Sequence, residues 1–406
     1  MINKINKIYL YLFFFLITIP FYFYLFNTKR NKYLSNLYFN SPVNYIKKRI
    51  CTNYDPLLDK YLDKTFSLTL IDEKGRIISQ YNPLIARVPA SNMKLLSTGY
   101  VISNYEYFET LRTNLYKDNK DIYYLKGSAD PDLLLRDIQK LIDKINFSNI
   151  ININLLEIDE DIYWPIGWTS EDKLYKYGSP ITKLAINSNA SRYLNIYFLK
   201  NYIYNYLLSK FPKSRINVNI KKGFNLYKSK AVLIDSISSN TIFSLLTLAN
   251  AESHNFTAES LFKNASNTWE SNDYSKLFKW LSNRGFPMKN VYIADASGLS
   301  RDNNVTSELL ASFLHKMKFN KNYEIYSSSL SIMGIRGTLA NTLVDSKLKG
   351  KFFGKTGTLS NTFSLSGYLH KKDKIYSISI IQNSKLINKN KVFNLLNDLY
   401  EIKACK

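Results

Sequence analysis

Cysteine is nearly absent: Cys51 and Cys405 are the only two in 406 residues. That excludes a disulfide-dense scaffold and clustered thiolate ligation of zinc or an iron–sulfur centre. Histidine is equally scarce, with His254, His315 and His370 alone, so neither a metal site nor a cofactor is expected. Acidic residues are outnumbered, 32 against 55 Lys and Arg, which gives a formal net charge of +23. Such an excess reads first as a surface for nucleic acid or anionic membrane. The chain is also saturated with Lys, Asn, Ile, Tyr and Phe together, the residues an AT-rich genome supplies, and biased composition accounts for most of the charge. Internal repeats and long low-complexity linkers are missing too. The length suggests about two domains, and 45% hydrophobic residues suffice for a sizeable core.

One long uncharged run exists, Ile8 to Phe26, with Lys4 and Lys7 before it and Lys29, Arg30 and Lys32 after it. A signal peptide has a shorter apolar region and a small-residue cleavage site, and no such site follows here. The length suits a membrane-spanning helix, so residues 1–32 are expected to be an uncleaved anchor, with a cleaved signal as the alternative. Both flanks are basic, and orientation stays open. Residues 1–32 carry five basic and no acidic residues, so the remainder still carries about +18.

Beyond the run, Asp55–Asp63 reads as a helix, Thr65–Ile71 and Arg76–Tyr81 as a hairpin about Asp72-Glu73-Lys74-Gly75. Pro89-Ala90-Ser91 opens an apolar helix, Met93–Ile102. Residues 104–234 mix short strand and helix signals without a clear period. Asn255–Lys263 reads as a helix, and Val291–Ala294 as a strand ending in the turn Asp295-Ala296-Ser297-Gly298. Lys351–Thr358, Phe363–Leu369 and Lys374–Gln382 read as strands before a terminal helix, Asn390–Ile402. Strands joined by tight turns, with helices at both ends, predict an α+β plan: an antiparallel sheet flanked by helices.

Three short motifs carry chemistry. Ser91-Asn92-Met93-Lys94 puts a hydroxyl and an amine three residues apart, on one helix face. A serine is a poor nucleophile until a neighbour takes its proton, and a lysine can do so only when neutral, through desolvation or a nearby cation. The same spacing at Ser170-Glu171-Asp172-Lys173 reads as a solvated turn. Lys355-Thr356-Gly357-Thr358 offers a fixed cation, two hydroxyls for a carboxylate, and a glycine that lets a ligand backbone approach. Ser253-His254-Asn255 offers a hydroxyl and an amide two apart, as does Ser238-Ser239-Asn240, read as a decoy. Each motif alone also suits an ordinary cap or strand.

Together and in this order, S-x-x-K, S-x-N and K-T-G are the elements of penicillin-binding proteins and serine β-lactamases. Pro89 to Leu95, Gly127-Ser128-Ala129-Asp130-Pro131, Ala258-Glu259-x-Leu261, Asp295 to Asn303, Gly337-Thr338-Leu339, and Lys355 to Leu359 with Ser366-Gly367-Tyr368 narrow the match. The chain from about residue 60 to 385 resembles the D-alanyl-D-alanine carboxypeptidase/endopeptidase family of class C low-molecular-mass penicillin-binding proteins.

The resemblance implies a β-lactamase/DD-peptidase fold, with a catalytic domain split between 50–103 and 235–406 and an inserted domain at 104–234. It implies a serine DD-peptidase acting on peptidoglycan stem peptides, open to covalent inhibition by β-lactams, outside the cytoplasm and with no role for nucleic acid. By position, Ser91 would be acylated and Lys94 would accept its proton. Ser253 would relay a proton to the leaving amine, and Asn255 would hold the substrate amide. Lys355 would supply positive potential that keeps Lys94 neutral, and Thr356 and Thr358 would bind the carboxylate. The N–H groups of Ser91 and Thr358 would form the oxyanion hole. Tyr177 and Arg301 are candidates for holding the peptide stem. Three departures stand out: His254 where the family often has Asp, Ala296 where it often has Gly, and one tryptophan fewer around Gly167-Trp168. The first and last helices pack together in the resembling fold, which implies a disulfide between Cys51 and Cys405 in an oxidising compartment. Two alternatives stay open: a serine β-lactamase on the same fold, and a non-catalytic protein binding wall or membrane.

Overall fold

The structure is a computed structural model that describes Phe39 and residues 54–402, Arg192 excepted. The uncharged run Ile8–Phe26, Cys51 and Cys405 lie outside the described residues, and so do the anchor and disulfide expectations. Among the described residues no helix is long and apolar enough to cross a membrane.

Helix α1 (Asp55–Tyr61) leads into the hairpin β1 (Phe66–Ile71) and β2 (Ile77–Tyr81), and the chain then enters helix α2 (Met93–Asn104). The middle of the chain supplies β3 (Thr110–Lys117), β4 (Ile122–Lys126), α3 (Leu135–Ile142), β5 (Ile150–Glu157), α4 (Ile196–Lys210), β6 (Arg215–Lys222) and β7 (Val232–Thr241). Helices α5 (Ile242–Asn250), α6 (Asn255–Ser266), α7 (Ser275–Ser282), α8 (Ser307–Met317) and α9 (Tyr323–Ser328) follow. Strands β8 (Ser331–Ile332), β9 (Phe352–Leu359), β10 (Thr362–Lys371) and β11 (Lys374–Asn383) precede the last helix, α10 (Lys389–Glu401).

Two sheets result. The first runs β2-β1-β11-β10-β9-β8, and its pairings are antiparallel throughout. It is the α+β layer that turn chemistry predicts. Both its faces are covered, which is why β1 and β10 are buried almost continuously rather than in alternation. On one face α1 and α10 pack through Leu58, Leu395 and Leu399 against Leu68 and Ile378. Tyr61 donates to Asp398 at 2.6 Å across that helix pair. On the other face Leu95, Val101, Leu309 and Phe313 build the larger core. Helix α2 is buried on every side from Met93 to Ile102, as a helix without a polar face must be.

The second sheet runs β6-β5-β4-β3-β7. It is mixed, because β4, β5 and β6 are parallel neighbours. Parallel neighbours need a long crossover, and α3 and α4 supply the two crossovers, packing Ile138, Leu141, Leu199 and Ile203 on Ile153 and Leu155. Strand β7 pairs with β3 and runs on to Thr241, so this sheet extends past residue 234. Val291–Ala294 is no strand: Tyr292 makes one bridge to Asn304. Residues 158–190 lie within 104–234 in sequence, yet Ile158, Tyr163, Trp168 and Ile181 pack with Phe256 and Leu299 from the later part of the chain.

Candidate active site

The turn before α2 carries the nucleophile candidate. Ala90 sits at φ +47°, a left-handed conformation that costs a side-chain-bearing residue energy and concentrates at functional sites. A 3₁₀ turn over Ala90–Asn92 follows. Asn92 donates to the Lys355 carbonyl at 3.0 Å and ties this turn to β9. Gly357 explains how close the two elements come. A Cβ there would lie 2.4 Å from Ser364 Oγ, 2.8 Å from the Pro89 carbonyl and 2.9 Å from Ser91 N. The glycine therefore admits the backbone of Pro89 and Ser91 rather than a ligand's. Gly298, at φ +79°, is required likewise, since a Cβ would stand 1.9 Å from the Ala90 carbonyl.

Lys94 is fully buried. Its Nζ reaches Ser91 Oγ at 3.0 Å, Asn255 Oδ1 at 2.6 Å and the Ser297 carbonyl at 2.7 Å. An ammonium spends all three of its N–H groups on these acceptors. A neutral amine keeps the two shorter bonds and turns its lone pair to Ser91 Oγ, which is the geometry a base needs. Burial pushes Lys94 down to about 7, against the opposing pull of Asp295 and Glu259. Lys355 is also fully buried and donates to the Thr356 carbonyl at 2.9 Å. Burial first, then the charge of Lys94, pushes Lys355 well below the ordinary lysine range. On Lys94 itself the lowering comes from removal from water.

Asn255 opens α6, and its Nδ2 donates to the Tyr177 carbonyl at 2.9 Å. Ser253 stands before it at φ +63°. His254 does not join them: its Nδ1 meets Thr257 Oγ1 at 2.7 Å beside the Phe256 ring. A cleft of 480 Å³ is lined by Ser91, Ser253, Asn255, Thr358, Tyr177 and Arg301. The structure thus gathers the candidates from five segments. Thr356 bonds instead to Thr338 Oγ1 at 2.7 Å, which gives the Gly337-Thr338-Leu339 stretch its place beside β9.

Two buried carboxylates, singled out by no motif chemistry, hold the turn that Lys94 leans on. Glu259 accepts from Ala296 N at 3.0 Å, Ser297 N at 2.7 Å and Tyr274 OH at 2.8 Å. Burial and the nearby Asp295 raise it to about 7. Asp295 accepts from Trp168 Nε1, Ser297 Oγ, Gly298 N, Ser300 N and Asn303 Nδ2. Ala296 needs no positive φ, so the alanine fits.

Asp172 is 2% exposed and pairs through both carboxylate oxygens with Arg301. Within 170–173, Ser170 and Glu171 are exposed as in a solvated turn, but Asp172 is buried and lines the cleft beside Glu171. Arg301 also donates to the Leu299 carbonyl at 3.0 Å, so its guanidinium is largely committed within the protein. Tyr177 stacks on Tyr175, with centroids 5.3 Å apart and planes 8° from parallel.

With this geometry in place, likeness to known proteins becomes specific. The model of the D-Ala-D-Ala carboxypeptidase 3 (S13) family matches residues 65–196 and 190–398, and the chain belongs to that family. An Actinomadura D-alanyl-D-alanine carboxypeptidase is 32% identical over 108 residues, 25% of this chain and 20% of that relative. The match therefore spans only a fifth of the relative's length. Among solved structures, penicillin binding protein 4 of Haemophilus influenzae superposes with a TM-score of 0.72 at 17% identity, over 86% of this chain and 98% of the other. The Bdellovibrio bacteriovorus predatory peptidoglycan endopeptidase Bd3459 gives 0.57 at 15% identity, over 84% and 94%. These likenesses establish the penicillin-binding fold.

Proposed function

We propose that the protein is a serine DD-peptidase that hydrolyses the D-Ala-D-Ala bond of peptidoglycan stem peptides, and D-Ala-diaminopimelate cross-links, through an acyl-enzyme at Ser91. The arrangement about Lys94 carries this reading: a buried amine near neutrality, held by Asn255 and Ser297 and aimed at a serine hydroxyl. Neutral Lys94 takes the Ser91 proton as Oγ attacks the carbonyl carbon. The N–H groups of Ser91 and Thr358 receive the oxyanion. Ser253 passes a proton to the departing amine, and water then releases the acyl group. Lys355, Thr356 and Thr358 favour a substrate ending in a carboxylate, and Tyr177 and Arg301 wall the side along which the stem runs. A β-lactam is an acyl donor of the same shape, so the protein would be acylated by it at Ser91 and would release it slowly. A peptidoglycan substrate places the enzyme outside the cytoplasm, with residues 8–26 as its attachment to the inner membrane.

The test is labelling with a fluorescent penicillin, followed by peptide mapping and nitrocefin turnover. The expected result is one long-lived adduct on Ser91 that is absent in Ser91→Ala. No adduct on folded wild-type protein would overturn the proposal, and rapid nitrocefin turnover would replace it with a β-lactamase.

A further inference from the structure

A second cavity lies on the other side of the segment that walls the cleft. Its volume is 630 Å³, within the roughly 300–1,000 Å³ usual for ligand sites. Residues 171–179 separate the two spaces: Glu171, Asp172 and Tyr177 face the catalytic cleft, whereas Lys173, Leu174, Tyr175 and Lys176 line the cavity. The Tyr175–Tyr177 stack bridges them. Four rings, Tyr163, Trp164, Tyr175 and Tyr197, contribute to the lining. Tyr175 is 53% and Tyr197 52% exposed, and Trp164 is fixed by donating Nε1 to the Gly178 carbonyl at 2.9 Å. Exposed apolar surface gathered in one concavity signals a binding function.

The chemistry at the rim narrows the occupant. Tyr197 OH donates to Glu160 at 2.7 Å, and Lys173 stands 5.1 Å from the Trp164 ring centroid. Ring faces beside a polar rim suit a pyranose, whose C–H face is apolar while its hydroxyl and acetamido groups point sideways. We infer that this cavity binds the amino-sugar of the glycan strand that carries the stem peptide, so that the enzyme grips peptidoglycan at two points. The inference rests on the proposed peptidoglycan substrate. Reach supports it: a stem of about four residues spans at most about 14 Å when extended, and the wall between the spaces is only one short segment thick. The site takes neutral N-acetylated sugar, so the excess positive charge of the chain plays no part in it.

Two measurements on the purified protein test this. In the first, the peptide-free wall disaccharide is titrated against the protein by NMR or calorimetry. In the second, cleavage of a stem pentapeptide is compared with cleavage of the same peptide on the disaccharide. Binding of the free disaccharide is expected, together with a kcat/KM at least fivefold higher for the glycosylated substrate, carried by KM. Tyr197→Ala, and Ala190→Trp that fills the cavity, should abolish both effects while peptide-only cleavage and penicillin labelling persist. Equal kcat/KM for the two substrates, or a preference untouched by both variants, would overturn the inference. So would failure of the disaccharide to bind while another ligand class occupies the cavity. Failure of the catalytic reading shows differently, as loss of cleavage of both substrates by the wild-type protein.

Discussion

Replacing Asn255 with alanine separates two ways in which that residue could act. In the structure its Oδ1 accepts from Lys94 at 2.6 Å, and its Nδ2 is held by Tyr177. A hydrogen bond to a charged donor contributes about 1.5–3 kcal/mol, and a neutral one about 0.5–1.5. Asn255 therefore favours the ammonium form of Lys94 by about 1.4 kcal/mol, or about one pH unit. Lys94 must be neutral to take the serine proton, so wild-type acylation should rise with pH through about 7, where burial has placed the amine. In Asn255→Ala the amine loses protonation more readily, and the midpoint should fall to about 6. The plateau above it should also fall, by about tenfold or more, because only Ser297 still aims the lone pair. The assay is the second-order rate of penicillin acylation by stopped flow between pH 5 and 9, with folding checked by circular dichroism. A reduced plateau with an unmoved midpoint would show that Asn255 acts on the substrate alone. A midpoint that rises would refute the reasoning about Lys94 itself.

Two further predictions concern packing and acid stability. Gly357→Ala forces a methyl against the Pro89 carbonyl and Ser91 N, both backbone atoms, so it should cost about 1–3 kcal/mol and slow acylation more than tenfold; an unchanged melting temperature and rate would show that the turn can retreat freely. His315 is 4% exposed and pushed down by burial to about 3. Its folded pKa lies below the unfolded value near 6.5, so the unfolded state binds the extra proton between pH 6.5 and 3, and stability falls as pH drops. At pH 5 that loss is about 2 kcal/mol. His315→Leu should remove this part of the difference in urea stability between pH 7 and pH 5, and an unaltered difference would refute it.

What the sequence made legible follows from range. Ser91 and Lys94 share a helix face three residues apart, so their meeting is local, and the hairpin about Gly75 and the strands β9 to β11 announce themselves by turns and apolar runs. The wall of the cleft is of another kind. Arg301 meets Asp172 across 129 positions, Trp168 meets Asp295 across 127, and Asn255 meets Tyr177 across 78. The segment between 160 and 190 has no long element to give a period; it is built of short 3₁₀ turns. Asp172 looked solvated because its neighbours are polar, yet its partner arrives from the far end of the fold. Glu259 and Asp295 were visible only as charges within matched stretches. Their work, collecting backbone N–H groups around the Ser297 turn, depends on burial that no local pattern encodes.

The same contacts change what the insertion is. A unit appended to a complete enzyme could be removed without touching the chemistry. Here Asn255 is gripped from both directions, by Lys94 on the catalytic half and by the Tyr177 carbonyl on the inserted segment. Asp295, which steadies the turn under Lys94, takes one of its donors from Trp168 of that segment. An amide side chain with one of these partners removed has a free torsion, and a base with one fixed acceptor is no longer aimed. The segment that carries Trp168 and Tyr177 is therefore tied into the candidate site at those two residues. The candidate site therefore draws on both sides of the split drawn from sequence, with Trp168 and Tyr177 from 104–234 and Asp295 and Asn255 from the later part.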